Sequence, residues 1–551
     1  MRKPIIFSIM IAAATSLFAQ SLTEKIDVSL VNVDVTVTSH GAPARGLTRD
    51  DFQVFEDGVA RPITNFYAVV PPTAPGAAAP APATKSDTVV IADPSDERFR
   101  RKVLVIVDNR HVSMHNRDRA LAGLERFVDD RFTGGTYDWS IALISDMAHV
   151  MLPLTSDKQK LHETVAAIRR LVVNPDRPAD EDVARIATVS DFDGTPSAEA
   201  GSFRASSLQD LAHEGTQFQI AADAGRTSDA IRDAIHSFAG APGRKIILLV
   251  TGSLGMDDMS SPLDASPTSF RGGNSAVAGM ARAANIMRDA LIHEANASNV
   301  SFYIINSEGL SGGGGDASEA GHANGRAESV GRELGAGSSN PLTSMYWLAR
   351  ETGGRLLPGN SPASSLAEFD RTSSTFYSLA YKPAHADDGK YHTIKVRVNH
   401  PGYQLQYRTG YSSVPVNVQL ARAMQSPFAA TMQQSSIPID IVTGKTAPQG
   451  TGVLVPLHAT IPAKNLQFIP TDKGSIARVD LYVSLFDDRG RRISGNHFTR
   501  EAHAENGTET TGNFVETHDL LLKRGVPYRV VIAVHDEVTD AIGIATKTVR
   551  F

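Results

Sequence analysis

The sequence contains no cysteine. This excludes disulfides, thiolate zinc sites, iron–sulfur clusters, a cysteine nucleophile and a lipidated cysteine, whatever compartment the chain occupies. Aromatic residues make up 7% of it. Basic charge is not in surplus either: 54 Lys and Arg stand against 60 Asp and Glu, a net −6, so the global basic footprint that nucleic-acid binding needs is missing. Apolar runs of transmembrane length are absent after the first twenty residues. What remains is a chain of 551 residues, 41% hydrophobic and 21% charged, suited to several globular units at roughly 100 to 200 residues each.

Arg2 and Lys3 precede an apolar run from Ile5 to Phe18, and Leu17-Phe18-Ala19 before Gln20 offers a small residue for cleavage. Residues 1–19 therefore read as a signal peptide. The run of about 14 residues falls short of the roughly 20 that a permanent spanning helix needs. A retained anchor is the alternative, because only one of the two expected small residues is present. The mature protein is expected outside the cytoplasm, periplasmic or extracellular, with no membrane span after signal cleavage.

Residues 20–70 read as an N-terminal β unit: Val31, Val33, Val35 and Val37 alternate with polar residues, and an Asp57-Gly58 turn follows Phe52 to Phe55. Residues 71–100 form a linker rich in proline and alanine. From 101 to 375 the pattern changes. VLVIV (Val103 to Val107), SIALI (Ser140 to Ile144), IILLV (Ile246 to Val250) and VSFYII (Val300 to Ile305) are unbroken apolar runs, as in strands buried on both faces of a parallel sheet. Between them lie helical patterns: Leu121, Leu124 and Val128 beside Ala120 and Phe127; Leu161, Val165, Ile168 and Val172 behind a Ser156-Asp157 cap; and Ala283, Met287, Ala290 and Leu291. A further helix, Ser344 to Glu351, should stop at Gly353-Gly354. The alternation predicts a doubly wound α/β domain, carrying an insertion at about 173–240, helical over Ser206 to Phe238, and a Gly-rich loop at 311–339. Short strands are expected over 376–413, a second linker over 414–450, and a β-sandwich over 451–551, where Val479, Leu481, Val483 and Leu485 alternate. No fixed-period repeat is visible.

Asp108 ends the first parallel strand, at the carboxyl edge where open α/β sheets bind ligands. With VNVDVTVTSHGAPARGLTRDDFQVFEDG, LPLTSDKQKL, PGRKIILLVTGS, LARETGGRLL and YSLAYKPAHADDGKYHTIKVRVNHPGYQLQYRTGY in that order, residues 25 to 412 resemble von Willebrand factor A (vWA) proteins, specifically the acidobacterial vWA-related secreted group. The resemblance implies protein binding or adhesion through the loops after Val107, Ile144, Val250 and Ile305, without catalysis. Asp108, Arg110, His111, Ser113, Thr251 and Ser253 would lie at the centre of that surface, and the partner's identity is not encoded. It also implies a metal-ion-dependent adhesion site, for Mg or Mn, opening with Asp-x-Ser-x-Ser. Here the serine positions are Arg110 and Val112, and Gly252 or Ser253 replaces the acid expected near Thr251. Only Asp108 is left of that site, so no cofactor is expected. The preferred reading is an Arg110 guanidinium paired with Asp108 in place of a metal.

Other motifs are weighed against bland readings. His111 and His115, four apart, would join Asp108 as zinc ligands if they shared a helix face, but loop and early-helix histidines, among 17 in the chain, are expected to be solvated. Asp191-Phe192-Asp193-Gly194-Thr195 matches the nucleophile element of haloacid-dehalogenase-like phosphatases, with Asp191 attacking phosphorus, Asp193 as acid or base and magnesium clamping both. It lies inside the insertion instead of after a first strand, and an acidic turn ended by glycine is the preferred reading. Gly309-Leu310-Ser311-Gly312-Gly313 satisfies the pattern around a hydrolase serine, yet more glycine follows Ser311 where a helix is required. His293-Glu294 lacks the second histidine of a zinc protease, since Ala297 stands there.

Overall fold

A computed structural model describes residues 30–70, 90–96, 98–131, 136–145, 147–171, 219–238, 241, 243–257, 259, 273–307, 342–359, 361–385, 388–431, 434–471, 474–504 and 512–551. The signal peptide, Asp191, Asp193, Ser311 and the loop 311–339 lie outside these residues. The chain forms an α/β domain and β-rich regions. Its N-terminal strands are β1 (Val31–Ser39), β2 (Phe52–Glu56) and β3 (Ile63–Val69).

The α/β domain follows. Strands β4 (Arg101–Asp108), β5 (Tyr137–Ile144), β6 (Ala148–Thr155), β7 (Arg244–Thr251), β8 (Val300–Asn306) and β9 (Arg355–Pro358) form one sheet in the order β9-β8-β7-β4-β5-β6. All neighbours are parallel except β6, which runs antiparallel to β5 at the edge. Every residue of β4 and β7 is buried, which is why these runs are continuously apolar.

Alternate residues feed two cores. Leu104, Ile106, Ile247, Leu249, Phe302 and Ile304 meet α3 (described over 219–236), α4 (Gly273–Ala297) and α5 (Thr343–Glu351) through Ile231, Ile235, Leu291 and Leu348. Val105, Val107, Leu248, Val250 and Tyr303 meet α1 (Met114–Arg131), α2 (Lys158–Arg170) and α6 (Pro362–Ser373) through Leu121, Leu124, Val128, Val165, Ile168 and Phe369. Helix boundaries follow local chemistry. Asp157 caps α2 by accepting from Gln159 N and Lys160 N. Helix α5 ends as Gly354 N donates to Ala349 O and Gly353 N to Arg350 O, a reversal that needs the positive φ of 76° at Gly353.

Strands β10 (Phe376–Tyr381), β11 (Tyr391–Val398) and β12 (Tyr403–Gln406) do not extend the α/β sheet. They pair with the N-terminal strands. β1 lies between β12 and β10, β3 pairs with β10, and β2 pairs with β11, with Leu379 opposite both Val33 and Phe66. Val33, Val35, Val54, Phe66, Leu379, Tyr381 and Val396 share one core. The regions read as linkers are corrected in part. Val90–Ala92 pairs with β3; Val416–Ala423 is a helix, α7; and Asp440–Thr443 and Ala447–Gln449 are strands. Their polarity misled because each buries only a few side chains, Leu420 and Ala423 in α7.

The last region stacks two sheets. Strand β14 (Gly474–Phe486) lies between β15 (Arg492–Ala504) and β17 (Tyr528–Asp536), with β18 (Ile542–Val549) beyond, while β13 (Gly452–Pro462) pairs with β16 (Asn513–Lys523). Val455, Leu457 and Ile461 meet Val479, Leu481, Val483, Ile532 and Val534 between them. α7 covers the outer side of the larger sheet against Tyr482, Phe486 and Val531.

The β unit is clamped at the Asp57-Gly58 turn. His392 Nδ1 lies 2.7 Å from Asp57 Oδ2 and its Nε2 lies 3.1 Å from Asp388 Oδ1, while Asp57 Oδ1 accepts from Thr393 N and Oγ1. Burial works against the imidazolium, but the hydrogen bonds to Asp57 and Asp388 outweigh it and raise the His392 pKa above 6.5. A raised histidine pKa contributes stability that is complete below the unfolded value and lost as pH rises through the folded one. The unfolding free energy of the native chain should therefore fall from pH 6 to pH 9 more than that of His392→Gln, by urea denaturation. Leu379→Ala, at the centre of the β unit, is expected to cost about 2–5 kcal/mol in the same assay.

Candidate functional site

The sheet's strand order reverses between β4 and β7, since the chain passes from β4 to β5 on one side and later returns to β7 on the other. The crevice outside the carboxyl ends of these two strands is where open α/β sheets take ligands. Asp108 ends β4 and Thr251 ends β7, and both are fully buried.

Three protein donors converge on the Asp108 carboxylate. Arg110 N donates to Oδ1 at 3.0 Å, closing the turn that leaves the strand. His111 Nδ1 lies 2.7 Å from Oδ2, and Thr251 Oγ1 lies 2.8 Å from the same oxygen. Thr251 Oγ1 is also 2.6 Å from Ser253 O, and its single proton serves one of these acceptors at a time. Backbone bonds tie the loops together: Gly252 N donates to His111 O, Asn109 N to Ile144 O and Ser307 N to Thr251 O.

The expected Arg110–Asp108 ion pair is not what forms. The Arg110 backbone closes the turn while its guanidinium points away: Nη1 donates to Ser145 O at 3.1 Å, and Nη2 pairs with Asp223 on α3. Arg226, one turn along, pairs with the same Asp223 oxygen. The helix is close here, since a Cβ on Gly255 would come within 3.2 Å of Ala224. Asp223 and Arg226 went unnoticed in the sequence. Their i, i+3 spacing is an ordinary surface pattern, and nothing local announces that Arg110 joins them.

The six expected surface residues divide. Asp108 and Thr251 form the buried frame, while Arg110, His111, Ser113 and Ser253 are partly or fully exposed. Ser113 has a helical task as well, since its Oγ accepts from Asn116 N at the start of α1. Ser253 Oγ accepts from Gly255 N at 2.9 Å. The zinc arrangement does not assemble: His111 precedes α1, its Nδ1 faces Asp108, and His115 is exposed on the helix. Among the described residues no group of three or more His, Asp and Glu is placed to hold a metal ion. The adhesion-site metal does not fit the residues present, because a hard cation needs several free oxygen ligands, whereas Asp108 already accepts three donors and Arg110 adds positive charge. His293 stacks on Tyr391 at 3.9 Å and Glu294 pairs with His236 at 2.6 Å, tying α4 to its neighbours. Groups with strong pKa shifts lie away from this crevice. Burial lowers Lys245 to about 8 at the amino end of β7, and burial raises Asp233 to about 6 on α3.

No known protein-family profile and no curated protein matches the chain. Among solved structures, an aerotolerance-related membrane protein from Bacteroides fragilis aligns over 49% of this chain and 98% of its own, at 10% identity and a TM-score of 0.25. A von Willebrand factor type A protein from Catenulispora acidiphila covers 82% of this chain and 66% of its own, at 10% identity and 0.21. The pilus adhesin SpaC from Lactobacillus rhamnosus GG covers 76% and 53%, at 7% identity and 0.22. At these scores none of the three assigns this chain a family or an activity.

Thr251→Val keeps the shape of the side chain and removes one donor from a buried carboxylate. It is expected to lower stability by about 1–3 kcal/mol, with Thr251→Ser close to the native value, by chemical denaturation.

Proposed function

We propose that this chain is an exported, non-enzymatic, vWA-like protein that binds a protein partner through the loops at the carboxyl edge of its parallel sheet, with a degenerate adhesion-type metal site. One observation carries this reading. The carboxylate at the head of the switch-point crevice is closed off by Arg110 N, His111 and Thr251. A nucleophile or metal ligand needs a free lone pair directed at substrate or ion, whereas Asp108 faces inward and braces the loops. The described parts of these loops at 109–111 and 251–253 are tied together by this buried hydrogen-bonded frame, which suits recognition by contact, since little ordering entropy remains to be lost there on binding. No helix among the described residues is long and apolar enough to cross a membrane. Export rests on the N-terminal sequence.

The test is calorimetric titration of Mg²⁺ and Mn²⁺ into the full chain, Asp108→Ala and Asp191→Asn, alongside turnover of a generic phosphate ester. The expected result is no saturable binding and no turnover in any of the three. Ion binding lost only with Asp108→Ala would restore a working adhesion-type metal site. Turnover lost only with Asp191→Asn would replace this reading with the magnesium phosphatase of Asp191 and Asp193.

A further inference from the structure

Beside the frame around Asp108, two guanidinium groups share one carboxylate. Arg110 and Arg226 both direct a guanidinium Nη2 at Oδ1 of Asp223, so two cations share one oxygen of one anion. The fork of Arg110 is half used. Its Nη1 edge is taken by Ser145 O, and on the other edge only Nη2 has an acceptor, while Nε is buried with no hydrogen-bond partner among the described residues. An arginine binds a carboxylate best when the Nε–Nη2 edge meets both oxygens, and leaving a buried donor of that edge idle is unfavourable. Asp223, held monodentate and shared with its helical neighbour, is a poor occupant.

We infer that Arg110 and Arg226 form a receptor for an oxyanion, the carboxylate of an acidic residue on the protein partner, and that Asp223 is its internal stand-in. The incoming carboxylate takes both N–H groups of the Arg110 edge. Asp223 keeps Arg226, three residues away on the same helix, so two cations then face two anions. The position fits recognition: Arg110 lies in the loop after β4 at the switch point, its side chain is 13% exposed and that of Asp223 22%, and Arg226 stands at the surface at 48%. This inference rests on the proposed binding role of the carboxyl edge and names the chemistry it recognises.

The test is titration of a fluorescent hexaglutamate peptide into the full chain at low and at 0.5 M salt, with inorganic phosphate as a second arm. Asp223→Asn removes the stand-in and should tighten peptide binding about tenfold. Arg110→Gln should abolish it, and added salt should weaken it in the native chain. Arg110 sits in a tight turn, so Arg226→Gln on the exposed helix face provides a variant that leaves the loop alone. It should weaken binding several-fold, because Asp223 then has Arg110 to itself. Equal affinity in native chain and Asp223→Asn, or binding that survives Arg110→Gln, overturns the inference. Phosphate binding with this residue dependence but no peptide binding overturns the carboxylate assignment. The metal and turnover titrations interrogate Asp108 and Asp191 alone, so failure of the functional reading and failure of this inference give separate results.

Discussion

Pairing of β1 with β10 and β12 is the contact on which the rest of the N-terminal four hundred residues depends. It joins residues 31–39 to residues 376–406 and closes everything between into one loop whose two ends lie in the same sheet. Neither end has a core alone: Val33 and Val35 need Leu379 and Tyr377 opposite them. The unit so formed sits against the amino ends of the parallel strands. Arg244 reaches from β7 to Ser373 O and Thr36 Oγ1, Arg101 reaches Asp370, and Arg408 donates to Asn296 O and Asn32 O. Buried cations must find acceptors, so these bonds fix how the two bodies sit. One rim of the parallel sheet is thereby covered by the β unit, and the crevice at Asp108 lies at the other.

At that other rim the same rule acts with the sign reversed. A carboxylate with no exposure cannot remain ionised without donors. For Asp108 a backbone N–H, an imidazole and a hydroxyl meet that need. The bracing of Asp108 ties the loops after β4 and β7 together, and the Arg110 guanidinium is directed outward to Asp223 on α3.

The sequence was most legible where burial was two-sided. The runs at Val103, Ser140, Ile246 and Val300 are β4, β5, β7 and β8, because a strand covered on both faces has no polar positions to blur it. Strand β6 was missed: as the antiparallel edge it is only partly buried, and Pro153 interrupts its pattern. The partners of β1 were illegible for a different reason. Alternating valines announce a strand, but register with a segment about 340 residues away is set by shape and not by local pattern. The Arg110 guanidinium is held by Ser145 O and by Asp223 on α3, partners distant in sequence that residue type cannot reveal. Asp108 was found because strand ends are readable, and Asp223 was missed because charged helix faces look alike.

Closure of β1 onto β10 and β12 also sets a timetable. Contacts this distant in sequence carry a large loop-closure entropy and form late. Residues 31–69 are synthesised first, yet cannot complete a core until residue 406 has appeared, whereas the strands and helices of the α/β domain find many of their partners within a few dozen residues. The valine-rich edge of β1 must therefore stay exposed through most of synthesis, the interval in which unpaired strands are most prone to wrong association. In this topology β1, which precedes every other described strand in the chain, is among the last to be buried.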